Sequence, residues 1–299
     1  MVMTAVLVAT GITGFTAVPA NASTSGSDVA AGTQAVSIPN DIYYQRQWAL
    51  SYLQASLTKV GNSEVTVAVL DSGIDAAHED LAGKITGSVN FTASMTGSDV
   101  QGHGTHVAGI LAANINNGIG IAGVAGNIIL LNVKVVEDNG MVWPSNVAKG
   151  IVWAVDNGAQ VINMSLTMPM DSQKVADAVK YAADHNVIML AAAGNRISSR
   201  TYPAAYPEVI AVAAINADGT VWEGSLTSDK IDVYAPGSEI YSTVPGNKYD
   251  YKSGSSMAAA YASGTAAVIL NGMINDKGFC SDCSEIKSAL KNISSKLLK

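Results

Sequence analysis

From Pro39 onward, short apolar runs alternate with helical stretches. The runs Val65–Leu70, Ile128–Val135, Val161–Ser165, Val187–Ala193 and Val209–Ala213 read as strands. The segments Thr105–Ala113, Ser145–Asp156, Ser172–His185 and Met257–Leu270 read as helices. This alternation is the sequence form of repeated βαβ units, so the expected class is α/β with a mostly parallel central sheet. In such sheets ligand groups collect at the carboxyl ends of strands, and the chemistry is expected just after those runs.

The N-terminal pattern is different. Met1 to Ser27 is uncharged and carries an apolar run through Val6, Leu7, Val8, Ile12, Phe15 and Val18, followed by the small residues Ala20-Asn21-Ala22. We read residues 1–22 as a signal peptide cleaved after Ala22, hence a secreted protein. No Lys or Arg precedes the run, which leaves an uncleaved membrane anchor at the cell surface as the alternative, although Gly11, Gly14 and Pro19 interrupt it as a spanning helix would not be interrupted. Residues 23–38 are rich in Ser, Gly, Ala and Thr, the composition of a flexible tether, and the folded domain is expected over 39–299.

Composition narrows the classes further. Of 299 residues 48% are hydrophobic and 14% charged, which supplies a large core and excludes wholesale disorder. The net charge of −7 argues against nucleic acid or an anionic membrane surface as the main partner. No internal repeat is present, and one large α/β domain acting as a monomer is expected.

Four polar positions fall where such a sheet places its chemistry. Asp71 follows the strand ending at Leu70, within Asp71-Ser72-Gly73-Ile74-Asp75, where an aspartate alone would be read as a turn cap. His103 lies between glycines in Gly102-His103-Gly104-Thr105-His106-Val107-Ala108-Gly109, beside a helix start. The His103 and His106 pair has a metal-ligand look, but no Glu, Cys or third His stands at a suitable spacing. Ser256, in Ser253-Gly254-Ser255-Ser256-Met257-Ala258, opens an Ala-rich helix; a hydroxyl there is ordinarily a cap, yet backbone N–H groups and the helix dipole would also face an oxyanion formed at it. Asn195 closes Ala191-Ala192-Ala193-Gly194-Asn195 at another strand end, where its amide can donate.

In this order and in these motifs, Asp71, His103, Asn195 and Ser256 resemble the subtilisin-like serine proteases, or subtilases, from about Pro39 to Leu270. The opening Pro39-Asn40-Asp41-Ile42-Tyr43-Tyr44 is similar to the mature N-terminus of the thermitase-like branch. The resemblance implies a three-layer fold with helices on both faces of the sheet and endopeptidase activity on polypeptide substrates. Ser256 would be the nucleophile, His103 the general base and then acid, Asp71 the group that orients His103, and Asn195 an oxyanion donor. Substrate would lie as an added strand between Gly140-Met141-Val142 and Ser165-Leu166-Thr167, with Ala192 and Gly194 beside it. The resemblance also implies structural calcium, held by the carboxylates of Asp41 and Asp80, the amide oxygen of Asn117 and the carbonyls of Ile115, Ile119 and Ile121.

The chain departs from the family at several points. Ser165-Leu166-Thr167-Met168 stands where two glycines usually follow Ser-Leu, which leaves two readings open: a narrowed pocket favouring small residues such as Ala or Gly before the cut bond, or side chains that turn outward with specificity still broad. Met257-Ala258-Ala259-Ala260-Tyr261 lacks the usual proline after the nucleophile, which makes a processing or transpeptidating role the enzyme alternative; a catalytically silent scaffold or adhesion domain is the non-enzyme one. The stretch between Ser23 and Ile38 is short for a folding pro-segment. Cys280 and Cys283 have a C-x-x-C spacing, read in an exported protein as a small disulfide, with free thiols next. Met257 is expected to make activity sensitive to peroxide.

Overall fold

The computed structural model describes residues 38–54, 63–195, 201–273 and 283–299. The expected signal peptide, nearly all of the tether and Cys280 lie outside them. In chain order the elements are α1 (Trp48–Gln54), β1 (Val65–Asp71), β2 (Ile85–Asn90), α2 (His103–Ala112), β3 (Ile128–Lys134), α3 (Pro144–Asp156), β4 (Val161–Met164), α4 (Gln173–Asp184), β5 (Ile188–Ala192), β6 (Val209–Ile215), β7 (Val233–Pro236), β8 (Ile240–Val244), β9 (Lys248–Lys252), α5 (Ser255–Met273) and α6 (Cys283–Leu297). Among the described residues no helix is long and apolar enough to cross a membrane.

The main sheet has the order β2-β3-β1-β4-β5-β6-β7, and each neighbouring pair is parallel. Side chains alternate across a strand, so β1 serves two cores at once. Val65, Val67 and Val69 pack with α1, α2, α5 and α6, whereas Ala68 and Leu70 pack with α3 and α4. Helices therefore cover both faces, and the expected three-layer α/β architecture is present. β1 lies between β3 and β4: the chain places β2 and β3 on one side of it and then crosses to β4 on the other, a switch point at which the crevice of such sheets lies by the carboxyl ends of the two strands.

Helix α5 runs through the first core and is buried on nearly every side, from Met257 to Leu270. Its small residues follow from this: a Cβ on Gly264 would lie 2.8 Å from Val124 Cβ. The elements absent from the sequence reading include α1 and β8, which are short although they carry buried apolar side chains, and others with more exposed or interrupted patterns. β2 is half exposed at the sheet edge, β7 forms the other edge, and β9 of the antiparallel β8–β9 hairpin is largely solvent-facing. α2 begins at His103, two residues before the expected start, because the Asp99 carboxylate accepts from the N–H groups of Gly102 and Thr105 and organises the turn.

Candidate active site

The sheet order brings distant segments into one line. Asp71 ends β1, Ser165 follows β4, and Ala193-Gly194-Asn195 follow β5. α2 carries His103 at its first position after Gly102, whose φ of 82° is a left-handed conformation that glycine adopts without strain. His103 Nδ1 lies 2.7 Å from Asp71 Oδ1, and the Asp71 side chain is 2% exposed against 32% for His103. This approach requires Gly104, since a Cβ there would meet the Gly73 carbonyl oxygen at 2.1 Å and Asp71 Cβ at 3.1 Å. Burial opposes the imidazolium, but the Asp71 carboxylate, helped by Asp99, outweighs it, so the His103 pKa is raised above its ordinary value. Asp71 Oδ1 also accepts from Ser72 N–H at 2.7 Å.

Ser256 sits in the first turn of α5, as the sequence led us to expect. Its Oγ donates to the Ser165 carbonyl at 3.1 Å, and Ser165 Oγ donates to the Ser256 carbonyl at 2.7 Å. Behind them, Asn163 Nδ2 donates to Ser165 Oγ and Ser263 Oγ donates to Asn163 Oδ1, each at 3.0 Å. Among the described residues no hydrogen bond joins Ser256 Oγ to His103; the hydroxyl is instead engaged with the Ser165 carbonyl. Asn195 Oδ1 accepts from Ser255 Oγ at 3.3 Å, which leaves Nδ2 of this exposed residue to donate elsewhere. Ser255 Oγ also accepts from Gly194 N–H at 3.2 Å, joining the end of β5 to the start of α5. Asn163, Ser263 and Ser255 were not singled out from the sequence; serines and an asparagine in apolar runs carry no signal until their partners are known.

The expected substrate edges are both exposed in part. Beyond β3, Glu137 N–H donates to the Met141 carbonyl at 2.9 Å and Val136 bridges Val142, with Gly140 at φ 85° turning the chain. Met141 is 46% exposed. On the other edge Thr167 is exposed, but Met168 is only 3% exposed and packs in the core with Leu166 and Tyr206, so it adds no bulk to the cleft as expected of it. Its place is taken by a residue that the sequence did not flag. Thr201 Oγ1 donates to the Ala193 carbonyl at 2.6 Å, and Thr201 Cγ2 lies 2.9 Å from where a Cβ of Gly194 would stand, with Thr167 Cγ2 at 3.6 Å. Two threonines thus crowd the glycine beside Asn195.

His106 is not part of this cluster. Its ring is buried and Nε2 lies 3.0 Å from the Ile240 carbonyl and 3.1 Å from that of Asp250, tying α2 to the β8–β9 hairpin. Met257 is also buried, at 2% exposure.

The residues named for calcium converge around the loop after α2. Buried Asp80 accepts from Ile121 N–H and Asn117 Nδ2, each at 2.8 Å, and Asp41 accepts from the N–H groups of Asn116 and Asn117. Burial raises the Asp80 pKa, with nearby Asp41 adding to it, and among the described residues neither acid has a Lys or Arg partner. The carbonyls of Ile115, Ile119 and Ile121 accept no hydrogen bond from another described residue, whereas the Gly120 carbonyl accepts from Tyr43 N–H. This set of hard oxygens fits a calcium ion. Asn117 differs from the expectation: Nδ2 faces Asp80 while Oδ1 accepts from Ile119 N–H at 3.0 Å, because a buried carboxylate draws the donor end of the amide. Among the described residues no group of three or more His, Cys, Asp or Glu is placed to hold a metal, so the loop carbonyls are indispensable to such a site.

Comparison with known proteins agrees with this arrangement. The Subtilase family (Peptidase S8) matches residues 62–296. The chain is 41% identical over 238 residues to the thermophilic serine proteinase of Bacillus sp. (strain AK1), covering 77% of this chain and 59% of the relative. It is 43% identical over 216 residues to subtilisin E of Bacillus subtilis (strain 168), covering 70% and 56% respectively, and so spans less than two thirds of either relative. Against thermitase of Thermoactinomyces vulgaris it is 37% identical over 264 residues, 87% of this chain and 92% of that one. A match that runs from before β1 into α6 and includes every segment of the crevice assigns the chain to the subtilase family.

Proposed function

We propose that the chain is a serine endopeptidase with Ser256 as nucleophile. The observation that carries this reading is the 2.7 Å contact between Asp71 and His103 in the crevice that also receives Ser256 and Asn195. Asp71 holds Nδ1 of the imidazole, so Nε2 is the nitrogen available to take the Ser256 proton as Oγ attacks a peptide carbonyl. The oxyanion would meet the Ser256 N–H and Asn195 Nδ2, and loss of one such donor typically costs about 3–4 kcal/mol of transition-state stabilisation. His103 then returns the proton to the leaving amine, and water attacking the acyl-enzyme restores Ser256.

Within this reading, Thr167 and Thr201 narrow the space next to Gly194, which supports a preference for small residues such as Ala or Gly before the cut bond. Calcium would be structural, on Asp41, Asp80 and the loop carbonyls of Ile115, Ile119 and Ile121, and takes no part in the proton transfers. Export is the third part of the reading, supported by the apolar run ahead of Ala20-Asn21-Ala22.

The test is labelling by a serine-directed fluorophosphonate together with cleavage of a denatured protein substrate. Both are expected for the folded, calcium-supplied chain and both should vanish in Ser256→Ala. A folded chain that neither labels nor cleaves would turn the assignment to a silent scaffold.

A further inference from the structure

Asp99 is an acid to which the mechanism above gives no chemical role, yet it is 5% exposed and receives five hydrogen bonds. Oδ1 accepts from Ser72 Oγ at 2.9 Å, Gln101 N–H at 3.0 Å and Gly102 N–H at 2.8 Å. Oδ2 accepts from Thr105 N–H at 2.9 Å and Thr105 Oγ1 at 2.7 Å. These donors bracket His103 on both sides along the chain. Ser72 closes the circuit: its Oγ accepts from Gly104 N–H at 3.0 Å, and its own N–H donates to Asp71 Oδ1 at 2.7 Å. One carboxylate therefore links the loop before His103, the helical turn after it and the residue next to Asp71.

An ordinary helix cap needs one or two such bonds. Asp99 instead bridges the two backbones that carry the Asp71 and His103 pair. The titratable groups coupled to His103 are Asp71 from β1, Asp99 from the loop before α2, Lys252 from β9 and His106 three residues on in α2. Asp71 and Asp99 favour the imidazolium, and Lys252 opposes it. Lys134, from β3, donates to the carbonyls of Ser72 and Ser98 on either side of the bridge and pairs with Asp138 at 2.8 Å, so its charge is already engaged.

We propose that Asp99 is a positioning residue for the reaction, holding His103 against Asp71 through Ser72 and the first turn of α2 and supplying a second negative charge that stabilises the imidazolium. This rests on the reading of His103 as the general base.

The experiment compares wild type, Asp99→Asn, Ser72→Ala and His103→Ala by the pH profile of kcat/KM, with rates expressed per fluorophosphonate-labelled site. Asp99→Asn removes the charge and one acceptor pattern at nearly constant volume. The expected result is a kcat lower by on the order of tenfold, little change in KM, and an acid limb displaced to lower pH because an anion near the imidazole has been removed. A purely structural cap would lower the melting temperature and the labelled fraction while leaving both the limb and the rate per labelled site in place, and that outcome would overturn the proposal. If Asp99→Asn does not fold, Ser72→Ala decides: it keeps the Asp99 charge, so kcat should fall several-fold with the acid limb unmoved, and a wild-type kcat would sink the bridging role. An active His103→Ala would instead refute the reading of the base, independently of Asp99.

Discussion

Ser256 and Ser165 exchange hydrogen bonds, the Oγ of each donating to the backbone carbonyl of the other, at 3.1 Å from Ser256 and 2.7 Å from Ser165. The start of α5 is thereby fastened to the end of β4, and Asn163 and Ser263 complete the attachment from within the core. Ser165→Ala would leave the Ser256 carbonyl and the Asn163 amide without this partner. We expect a loss of stability of about 1–3 kcal/mol, read by urea unfolding, together with slower fluorophosphonate labelling. Unchanged stability and labelling would show that the exchange holds nothing in place.

The Asp71 contact predicts how activity depends on pH. A general base must be neutral, and the His103 pKa is raised, so the acid limb of kcat/KM should fall above the ordinary imidazole value of 6.5. The same shift makes the Asp71 and His103 attraction stabilising: it is fully present below 6.5 and is lost as pH rises through the raised folded value. Asp71→Asn should lower kcat by on the order of 10⁴ through loss of the correct tautomer. A limb in Asp71→Asn identical to wild type would exclude the carboxylate as the cause.

His106 has the opposite linkage. Burial, with Lys252 and His103 adding, pushes its pKa down from 6.5 to about 3 against the opposing carbonyls of Asp250 and Ile240. Between those values the unfolded chain binds a proton that the folded one refuses, so stability should fall as the solution is acidified through that window. The loss is on the order of 3–5 kcal/mol at its full extent. In His106→Gln the melting temperature should be lower at neutral pH but less steeply dependent on acid; an equal slope would exclude His106 as the titrating group.

Thr201 offers a direct test of the narrowed cleft. Thr201→Gly removes the Cγ2 that stands 2.9 Å from the Gly194 Cβ position. We expect the ratio of kcat/KM for Phe over Ala, compared in otherwise identical peptides, to rise by roughly tenfold, within the 1–3 kcal/mol that small volume changes in a pocket supply. A wild-type enzyme that already prefers Phe would refute the narrowing.

For the Asp41 and Asp80 loop, addition of calcium should raise the melting temperature and dialysis against a chelator should lower it. At one hundred times the dissociation constant the ion contributes about 2.7 kcal/mol. Asp80→Asn should abolish the response to calcium. A midpoint indifferent to both treatments would dismiss calcium from this loop.

The local motifs made much of the site legible in the primary structure. Gly102-His103-Gly104 announces a tight approach because only glycine tolerates the φ of 82° at one flank and the 2.1 Å Cβ clash at the other, and both demands are written in residue type. The apolar runs of β1, β3, β4, β5 and β6 are equally self-declaring, since strands buried on both faces are predominantly hydrophobic even where they carry a buried polar residue such as Asn163 or Lys134. Met168 and Thr201 were not legible. Whether a side chain turns into the core or the cleft depends on which segments pack beside it, and nothing in the residues themselves reveals that Thr201 returns to Gly194. The edge strand β2 and the hairpin strand β9 follow the same rule, for they are half exposed or largely solvent-facing and are held by pairing with their neighbours. Asp99 is the clearest case: in sequence it is one more turn aspartate, and only the folded chain brings five donors to it. Residue type dictates what a group can do, while tertiary packing decides which partners it meets, because hydrogen bonds and van der Waals contacts act over a few ångströms that the sequence does not specify.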